Sequence, residues 1–272
     1  MTTKQLMDSA LELAGITEIP EDSGITVEGE NIKRVLMGVD MDTAELLLAK
    51  ELKYDCVVTH HPRITNPDML DVLDRHIINL EKLGIPRNKS QKLMSERRDE
   101  LSYNQHVSNS RRSESAAKLL NMPYVSIHTP ADIISEAFVQ KYLDEKFTGK
   151  PETKVKEVVE TLEEISEYKN SVRKPVIRVG SEKSYAGKIY VLMSGLTGPG
   201  ADILKEYFEA GVGTLIMMHI SEKNAKKIKE QNIGNVIVAG HMSSDSIGLN
   251  EIAKKWRETG IEVTLMSGIV EN

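Results

Sequence analysis

Residues 35–61 read VLMGVDMDTAELLLAKELKYDCVVTHH, and this stretch indicates the fold class. The apolar run that opens it predicts a strand. Residues 43–53 follow the N-cap Asp42 and its capping-box partner Glu45, which predicts a helix. A second apolar run at 56–59 predicts another strand, which ends at paired histidines. A strand, a helix and a strand in this order are typical of a parallel strand pair in an α/β fold.

A second stretch of the chain has the same pattern. Residues 191–219 read VLMSGLTGPGADILKEYFEAGVGTLIMMH, again a strand, a turn, a helix and a strand followed by histidine. After each stretch come a further helix, a further strand and an H-x-x-x-D motif, which is His128–Asp132 in the first copy and His241–Asp245 in the second. We interpret this likeness as a diverged duplication. The predicted fold is therefore two related α/β domains with mixed, largely parallel sheets.

The predicted domains are residues 1–150 and residues 151–272, with the last elements expected to pack back on the first half. The segment 88–122 is polar, helix-prone and poor in core residues, so we expect an excursion on the outside of the first half. The apolar runs at 176–179 and 189–193 are predicted to form a hairpin-like pair.

Composition excludes several classes of protein. The chain has 272 residues, of which 40% are hydrophobic and 28% charged, unlike a disordered polymer or a membrane bundle. No apolar run approaches the roughly 20 residues that a membrane span needs. Lys+Arg 35 against Asp+Glu 41 gives a net charge of −6, which argues against nucleic-acid binding.

The single cysteine, Cys56, excludes an internal disulfide framework and fits a reducing compartment. With no signal peptide evident at the start, the predicted location is cytoplasmic.

The histidines carry the main functional signal. Five of the seven follow directly after an apolar run: His60, His61, His128, His219 and His241. Ligands of open α/β sheets bind beyond the carboxyl ends of the strands, and the H-x-x-x-D spacing places an imidazole and a carboxylate on one face of a helical turn. Nitrogen and oxygen donors suit Zn, Mn, Fe or Ni, and about six donors are enough for two ions roughly 3.5–4 Å apart. The alternative is that each strand-end histidine is structural, and we expect His76 and His106 to be structural or solvated.

Three motifs resemble one known family. Residues 55–62, DCVVTHHP, resemble the D-x-I-I-T-H-H-P signature of the NIF-three-like proteins, also classed as GTP cyclohydrolase I type 2. Residues 127–132, IHTPAD, are similar to that family's H-T-x-x-D motif, and residues 240–245, GHMSSD, to its G-H-x-x-T-E motif. The three motifs occur in the family's order and span both ends of the chain.

The resemblance implies a dinuclear metal site in the crevice between the two domains. It places the ligands on His60, His61, Asp132, His241 and Asp245. It also implies a toroidal homo-oligomer, typically a hexamer, with a small-molecule ligand. This chain departs from the family pattern where Asp245 replaces Glu, and where Met218-His219 stands near the family's Gly-Glu pair.

The predicted function is that of a metal-dependent hydrolase acting on a nucleotide or similar phosphorylated small molecule, and the family name suggests GTP cyclohydrolase-type activity. His128 and His219 are the candidates for ligand orientation or proton transfer. The alternative is a non-catalytic metal-binding scaffold or a regulatory interaction protein. The glycine-rich segment 195–200 is interpreted as a tight turn, with a phosphate contact as the second interpretation.

Overall fold

A computed structural model describes residues 1–196 and 198–272. Thr197, in the middle of the predicted glycine-rich turn, lies outside the described residues. The chain divides into two compact units. The first consists of residues 1–72, 107–134 and 245–272, and the second of residues 73–106 and 135–244.

These units are not the continuous halves 1–150 and 151–272 that were drawn from the sequence. The first unit takes in the end of the chain because its last strand pairs with a strand near the start, with Arg34 opposite Glu262 and Gly38 opposite Met266. This is the return of the last elements to the first half that the sequence analysis expected. Two long helices, Thr129–Phe147 (α6) and His241–Glu258 (α11), contribute residues to both units.

The sheet of the first unit has five strands, of which the edge strand β1 is antiparallel to its neighbour and the others are parallel. Their order across the sheet is β1 (Gly24–Val27), β4 (Tyr124–Ser126), β3 (Cys56–Thr59), β2 (Arg34–Gly38) and β9 (Glu262–Met266). The central strand β3 is buried at every position, as expected for a parallel strand covered on both faces.

Helices α1 (Thr3–Ala14), α2 (Thr43–Glu51) and α5 (Arg112–Leu120) belong to the same unit. Helix α2 begins at the predicted capping box, in which the Asp42 backbone N–H donates to Glu45 over 2.8 Å. One core cluster joins β2, β3 and β4 to α2 and α5, and its buried members are Leu36, Met41, Leu46, Ala49, Val57, Ala117, Met122 and Tyr124. Helix α5 thus contributes to the core, although its sequence lies in the segment predicted to be outside.

The sheet of the second unit has four strands, in the order β5 (Val176–Val179), β8 (Asn235–Val238), β7 (Val212–Met217) and β6 (Lys188–Leu192). Strands β6, β7 and β8 are parallel, and β5 is antiparallel to β8. The predicted hairpin-like pair is wrong, because β5 and β6 occupy opposite edges of the sheet. Closeness in sequence suggested a hairpin, but the connection between these strands crosses the whole sheet.

The remaining helices lie largely in the second unit. They are α3 (Asp74–Lys82), α4 (Arg87–Val107), α7 (Val155–Leu162), α8 (Ser166–Asn170), α9 (Ala201–Glu209) and α10 (Glu222–Gln231). A 3-10 turn at Met69–Leu73, mostly in the first unit, precedes them. Helix α4 buries only Ser90 and Met94, so most of this polar helix faces solvent. Among the described residues, no helix is both long enough and apolar enough to cross a membrane.

The two sheets share a topology. In each, three parallel strands follow one another across the sheet, and the strand that precedes them in sequence lies antiparallel on the far edge. The edge pair has a register shift at the same place in both copies, between Ile25 and Val27 and between Ile177 and Val179. This match supports the duplication inferred from sequence, with β9 as an addition to the first copy.

Candidate metal centre

The backbone after β2 holds the histidine pair that follows β3. The N–H of His60 donates to the carbonyls of Gly38 (3.0 Å) and Val39 (3.2 Å), and the N–H of His61 donates to Val39 (2.9 Å). Because β2 and β3 are parallel neighbours, their carboxyl ends meet at the same edge of the sheet. Both imidazoles are therefore placed beyond that edge by main-chain hydrogen bonds.

One group of potential ligands consists of His60, His128 and Asp132, all buried, with donor atoms within 4.8 Å of one another. His60 Nε2 lies 3.4 Å from Asp132 Oδ1. His128 follows β4, and Asp132 lies one helical turn further on, in the first turn of α6. Their Nδ1 and Oδ2 atoms are 3.8 Å apart, which is the same-face arrangement that the H-x-x-x-D spacing predicts.

A second group consists of His60, His61 and Asp245, again with donor atoms within 4.8 Å of one another. Asp245 Oδ1 lies 3.6 Å from His60 Nε2, and Asp245 Oδ2 lies 3.5 Å from His61 Nε2. The Asp245 side chain is 0% exposed, whereas the His61 side chain is 21% exposed and is the member of this group that reaches solvent. The shorter Asp in place of the family's Glu still brings its oxygens to both imidazoles.

His60 is common to both groups. The hydrogen bonding of its two ring nitrogens tests whether the cluster fits a cation. Its Nδ1 lies 3.1 Å from the carbonyl oxygen of Ile127. Because a carbonyl only accepts, Nδ1 carries the proton and Nε2 keeps its lone pair. This buried Nε2 has no hydrogen-bond partner within residues 1–196 and 198–272, yet it faces two carboxylates. A lone pair set among carboxylates, with no thiolate nearby, is a donor set that fits Zn, Mn, Fe or Ni.

Two acids that the sequence analysis missed bind the other imidazoles. Asp40 Oδ1 lies 3.0 Å from His61 Nδ1 and also accepts a hydrogen bond of 2.7 Å from Arg63. The wholly buried Asp22 lies 2.6 Å from His128 Nδ1 through its Oδ2. Asp40 follows β2, so the strand-end rule that selected the histidines could have found it. Asp22 precedes β1, a short strand without an apolar run, and nothing in the sequence pointed to it.

Burial and charge act against each other in this cluster. Burial lowers the pKa of His60 below its ordinary value. Burial also opposes the charged form of His61, but contacts with Asp245 and a second carboxylate outweigh it and raise the pKa. For His128, the charges of Asp132 and another buried acid outweigh burial and raise the pKa to about 9. Imidazolium protons thus balance buried carboxylates here, and a divalent cation can take over that balance.

The two remaining strand-end histidines lie in the second unit. His241 is the first residue of α11, and its ring centroid is 4.8 Å from that of His219 in an edge-on arrangement. His219 is exposed, follows β7, and lines a cavity of about 290 Å³ within this unit. The predicted roles of His241 as a metal ligand and of His219 in catalysis stay predictions.

The other two histidines make local contacts. The buried His76 has its Nε2 3.1 Å from the carbonyl oxygen of Gly195, and the exposed His106 has its Nδ1 2.9 Å from the carbonyl oxygen of Ser102. These contacts are those of a structural histidine and of a solvated one.

Imidazoles and carboxylates gathered at the carboxyl ends of parallel strands, in a duplicated α/β fold, define the class of this protein as an α/β protein with nitrogen and oxygen donor groups that could hold a metal ion. The family model described as Duf34/NIF3 (NGG1p interacting factor 3) matches residues 1–85. A NIF3 superfamily protein from Sphaerobacter thermophilus is 32% identical, with a TM-score of 0.93 and 98% of each chain covered. The chain belongs to the NIF3 superfamily.

More distant structures share the fold alone. Reduced HcgD from Methanocaldococcus jannaschii matches with a TM-score of 0.63 at 16% identity, over 97% of both chains. The protein TTHA1606 from Thermus thermophilus matches with a TM-score of 0.56 at 14% identity, over 100% of this chain and 99% of that one. The comparison with curated proteins gave no match.

Proposed function

We propose that this chain binds two divalent metal ions, of Zn, Mn, Fe or Ni, and hydrolyses a nucleotide or similar phosphorylated small molecule. The observation that carries the proposal is the buried Nε2 of His60, which lies 3.4 Å from one carboxylate and 3.6 Å from another. The proposed ligands are His60, His61, Asp132 and Asp245, with His241 as the fifth ligand that the family resemblance implies.

Two ions match the number of donors. A single imidazole lone pair binds one cation, so His60 alone cannot serve two. The carboxylates of Asp132 and Asp245, however, offer two oxygens each, and His61 adds a second imidazole, which together are enough for a second ion. The arrangement therefore supports two neighbouring ions better than one tetrahedral ion.

The proposed chemistry divides between the ions and the side chains. A divalent cation bound here supplies Lewis-acid activation of water and stabilises negative charge on the substrate. His61, the more exposed imidazole of its group, is the proposed point of access for substrate and water. His128 and His219 are the proposed orienting or proton-transfer groups, and opening of a purine ring, as in GTP cyclohydrolase, is the most specific form of the proposal.

Metal content tests the ligand assignment. His61→Ala and Asp245→Ala should each lower the metal content of purified protein, measured by elemental analysis, well below the wild-type stoichiometry. His106→Ala removes an exposed histidine of α4 and should leave it unchanged. Equal metal content in all four proteins contradicts the site. GTP and activated phosphoesters, supplied with each candidate metal, then test hydrolysis.

A structural or regulatory role for the metals is the second candidate, and one observation favours it. The side chains of His60, Asp132 and Asp245 are 1%, 2% and 0% exposed, which is more typical of a closed structural site than of a catalytic site with an open position. A protein that retains stoichiometric metal and gains stability from it, but turns over none of these compounds, supports this alternative.

The proposed assembly is a toroidal homo-hexamer, as the family resemblance implies, and the proposed location is the cytoplasm. Light scattering should then give a mass six times that of the chain. A mass of one or two chains at the protein's working concentration contradicts the ring.

A further inference from the structure

We propose that Asp22 is a positioning residue, which fixes the ring of His128 so that its Nε2 becomes a metal ligand. This inference rests on the proposed function, since it assumes that the cluster binds a cation. It assigns to His128 a ligand role that the family resemblance does not give it, and a role to an acid that lies outside all three motifs.

Asp22 is buried and is held in place by hydrogen bonds to both of its carboxylate oxygens. Its side chain is 0% exposed, and its Oδ2 lies 2.6 Å from His128 Nδ1. Thr129 Oγ1 donates to the same oxygen over 2.7 Å, and Ser23 Oγ donates to the other oxygen over 3.1 Å. Burying a charged carboxylate costs free energy unless the charge is paired. Of the three partners His128, Thr129 and Ser23, His128 is the one that can carry a positive charge.

The bond to Asp22 decides which ring nitrogen of His128 is available. An ionised carboxylate accepts hydrogen bonds and donates none, so Nδ1 carries a proton. The nitrogen left to bind a cation is therefore Nε2. His128 also lies in one of the two groups whose donor atoms are within 4.8 Å of one another, and its ring centroid is 4.7 Å from that of His60.

The same arrangement occurs at every imidazole of the cluster. His60 Nδ1 is bound to the Ile127 carbonyl and His61 Nδ1 to Asp40. Metal-binding histidines generally donate their other ring N–H to a carboxylate or a carbonyl, which fixes the tautomer and the ring orientation. Three imidazoles with their Nδ1 atoms engaged in this way form a consistent set, and His128 is equivalent to the other two in this respect.

Two variants separate positioning from a structural role. Asp22→Asn keeps the size of the side chain but removes its charge, and it permits the amide to face Nδ1 with its NH2 group. Thr129→Val removes a hydrogen bond to the same Asp22 oxygen and leaves the His128 bond in place. Both variants disturb the packing of Asp22 against the start of α6, but only the first disturbs the His128 ring.

The assay is titration of chelator-treated protein with Zn²⁺ against a chromophoric competitor. Asp22→Asn should weaken binding of at least one Zn²⁺ by about 10- to 100-fold, the usual effect of losing such a partner. Thr129→Val should stay within about threefold of wild type. Equal losses in the two variants, or no loss in Asp22→Asn, overturn the inference. If wild-type protein binds no Zn²⁺, the proposed function itself fails.

A spectroscopic readout covers the case in which Asp22→Asn does not fold. In wild-type protein loaded with Co²⁺, an imidazole bound through Nε2 gives a paramagnetically shifted, exchangeable Nδ1–H proton resonance. His60, His61 and His128 should each contribute one, and His128→Gln should remove one of them. A spectrum that loses no such resonance in His128→Gln contradicts the ligand role.

Discussion

Gly38 offers a test of how tightly the structure around the histidine pair is packed. A Cβ added there would lie 2.4 Å from Met41 Sδ, 2.9 Å from Ser267 Cβ and 3.0 Å from the backbone oxygen of Met266. Met41 is wholly buried, so its side chain can shift only by displacing its core neighbours, and the Met266 carbonyl is held in the neighbouring strand β9. Gly38→Ala should therefore strain the end of β2 itself.

The expected magnitude follows from two opposing effects. Overpacking by one methyl group typically destabilises by about 1–3 kcal/mol. Replacing glycine with alanine also restricts the unfolded chain, which stabilises by about 0.4–1 kcal/mol where the backbone conformation allows it. The net expectation is a loss of about 1–2 kcal/mol in the free energy of unfolding. Bound metal should fall as well, because the Gly38 carbonyl accepts the His60 backbone N–H over 3.0 Å.

The assay is urea unfolding followed by far-ultraviolet circular dichroism, with metal analysis of the same samples. Gly24→Ala is the matched control, because it lies in the same sheet and its added Cβ would meet Ile64 at an ordinary 3.6 Å. This control should change the unfolding free energy by less than about 0.5 kcal/mol. If Gly38→Ala unfolds at the same urea concentration as Gly24→Ala and keeps its metal, the packing argument is refuted.

Three further predictions concern the first unit. Burial raises the pKa of the Cys56 thiol above its ordinary value, so iodoacetamide at pH 8 should label it only after denaturation, and rapid labelling of native protein would contradict this. Leu46→Ala should cost about 2–5 kcal/mol in urea unfolding because Leu46 is in the core cluster, whereas Leu47→Ala, 53% exposed in wild type, should change stability little. The pKa of Asp42 is lower than its ordinary value, because burial, which alone would raise it, is outweighed by hydrogen bonds, first among them the one from Ser113. The charged Asp42 therefore stabilises the fold at pH values above its unfolded pKa, and this stabilisation is lost as the pH falls. In Asp42→Asn, the free energy of unfolding should fall less steeply than in wild type as the pH drops below about 4. If the two proteins lose stability in parallel over this range, the prediction is wrong.

The sequence predicted the strands that are continuous apolar runs, and it missed the one that is not. Strands β2, β3, β7 and β8 are buried parallel strands, and their runs of Val, Leu, Ile and Met stand out from the polar turns. Strand β1 has the sequence GITV and is only partly buried, so it gives neither an apolar run nor a clear alternation. Because β1 gives no such signal, the sequence does not predict where the preceding loop, which carries Asp22, lies.

Helix starts were predicted too late where functional residues occupy the first turn. The apolar period alone predicts that α6 starts at residue 133 and α11 at residue 247, but the helices begin at Thr129 and His241. Their first turns contain the polar H-x-x-x-D residues, which lack the apolar period by which helices are recognised. The same residues that supply ligands therefore hide the helical turn that aligns them.

Strand-end position alone does not make a ligand, and the two halves of the chain show why. Equivalent strands end near histidines in both units, with His60 and His61 after β3 and His219 after β7. In the first unit these rings have buried carboxylates in contact and acceptors on their Nδ1 atoms. Among the described residues, the donor groups able to hold an ion all contain His60, and none contains His219. After duplication, imidazoles can stay at equivalent places in both copies, but the donor groups form where carboxylates and Nδ1 acceptors also surround the rings. The H-x-x-x-D spacing finds Asp132 and Asp245, whereas the acids that hold the Nδ1 atoms, Asp22 and Asp40, stand at no fixed spacing from a histidine.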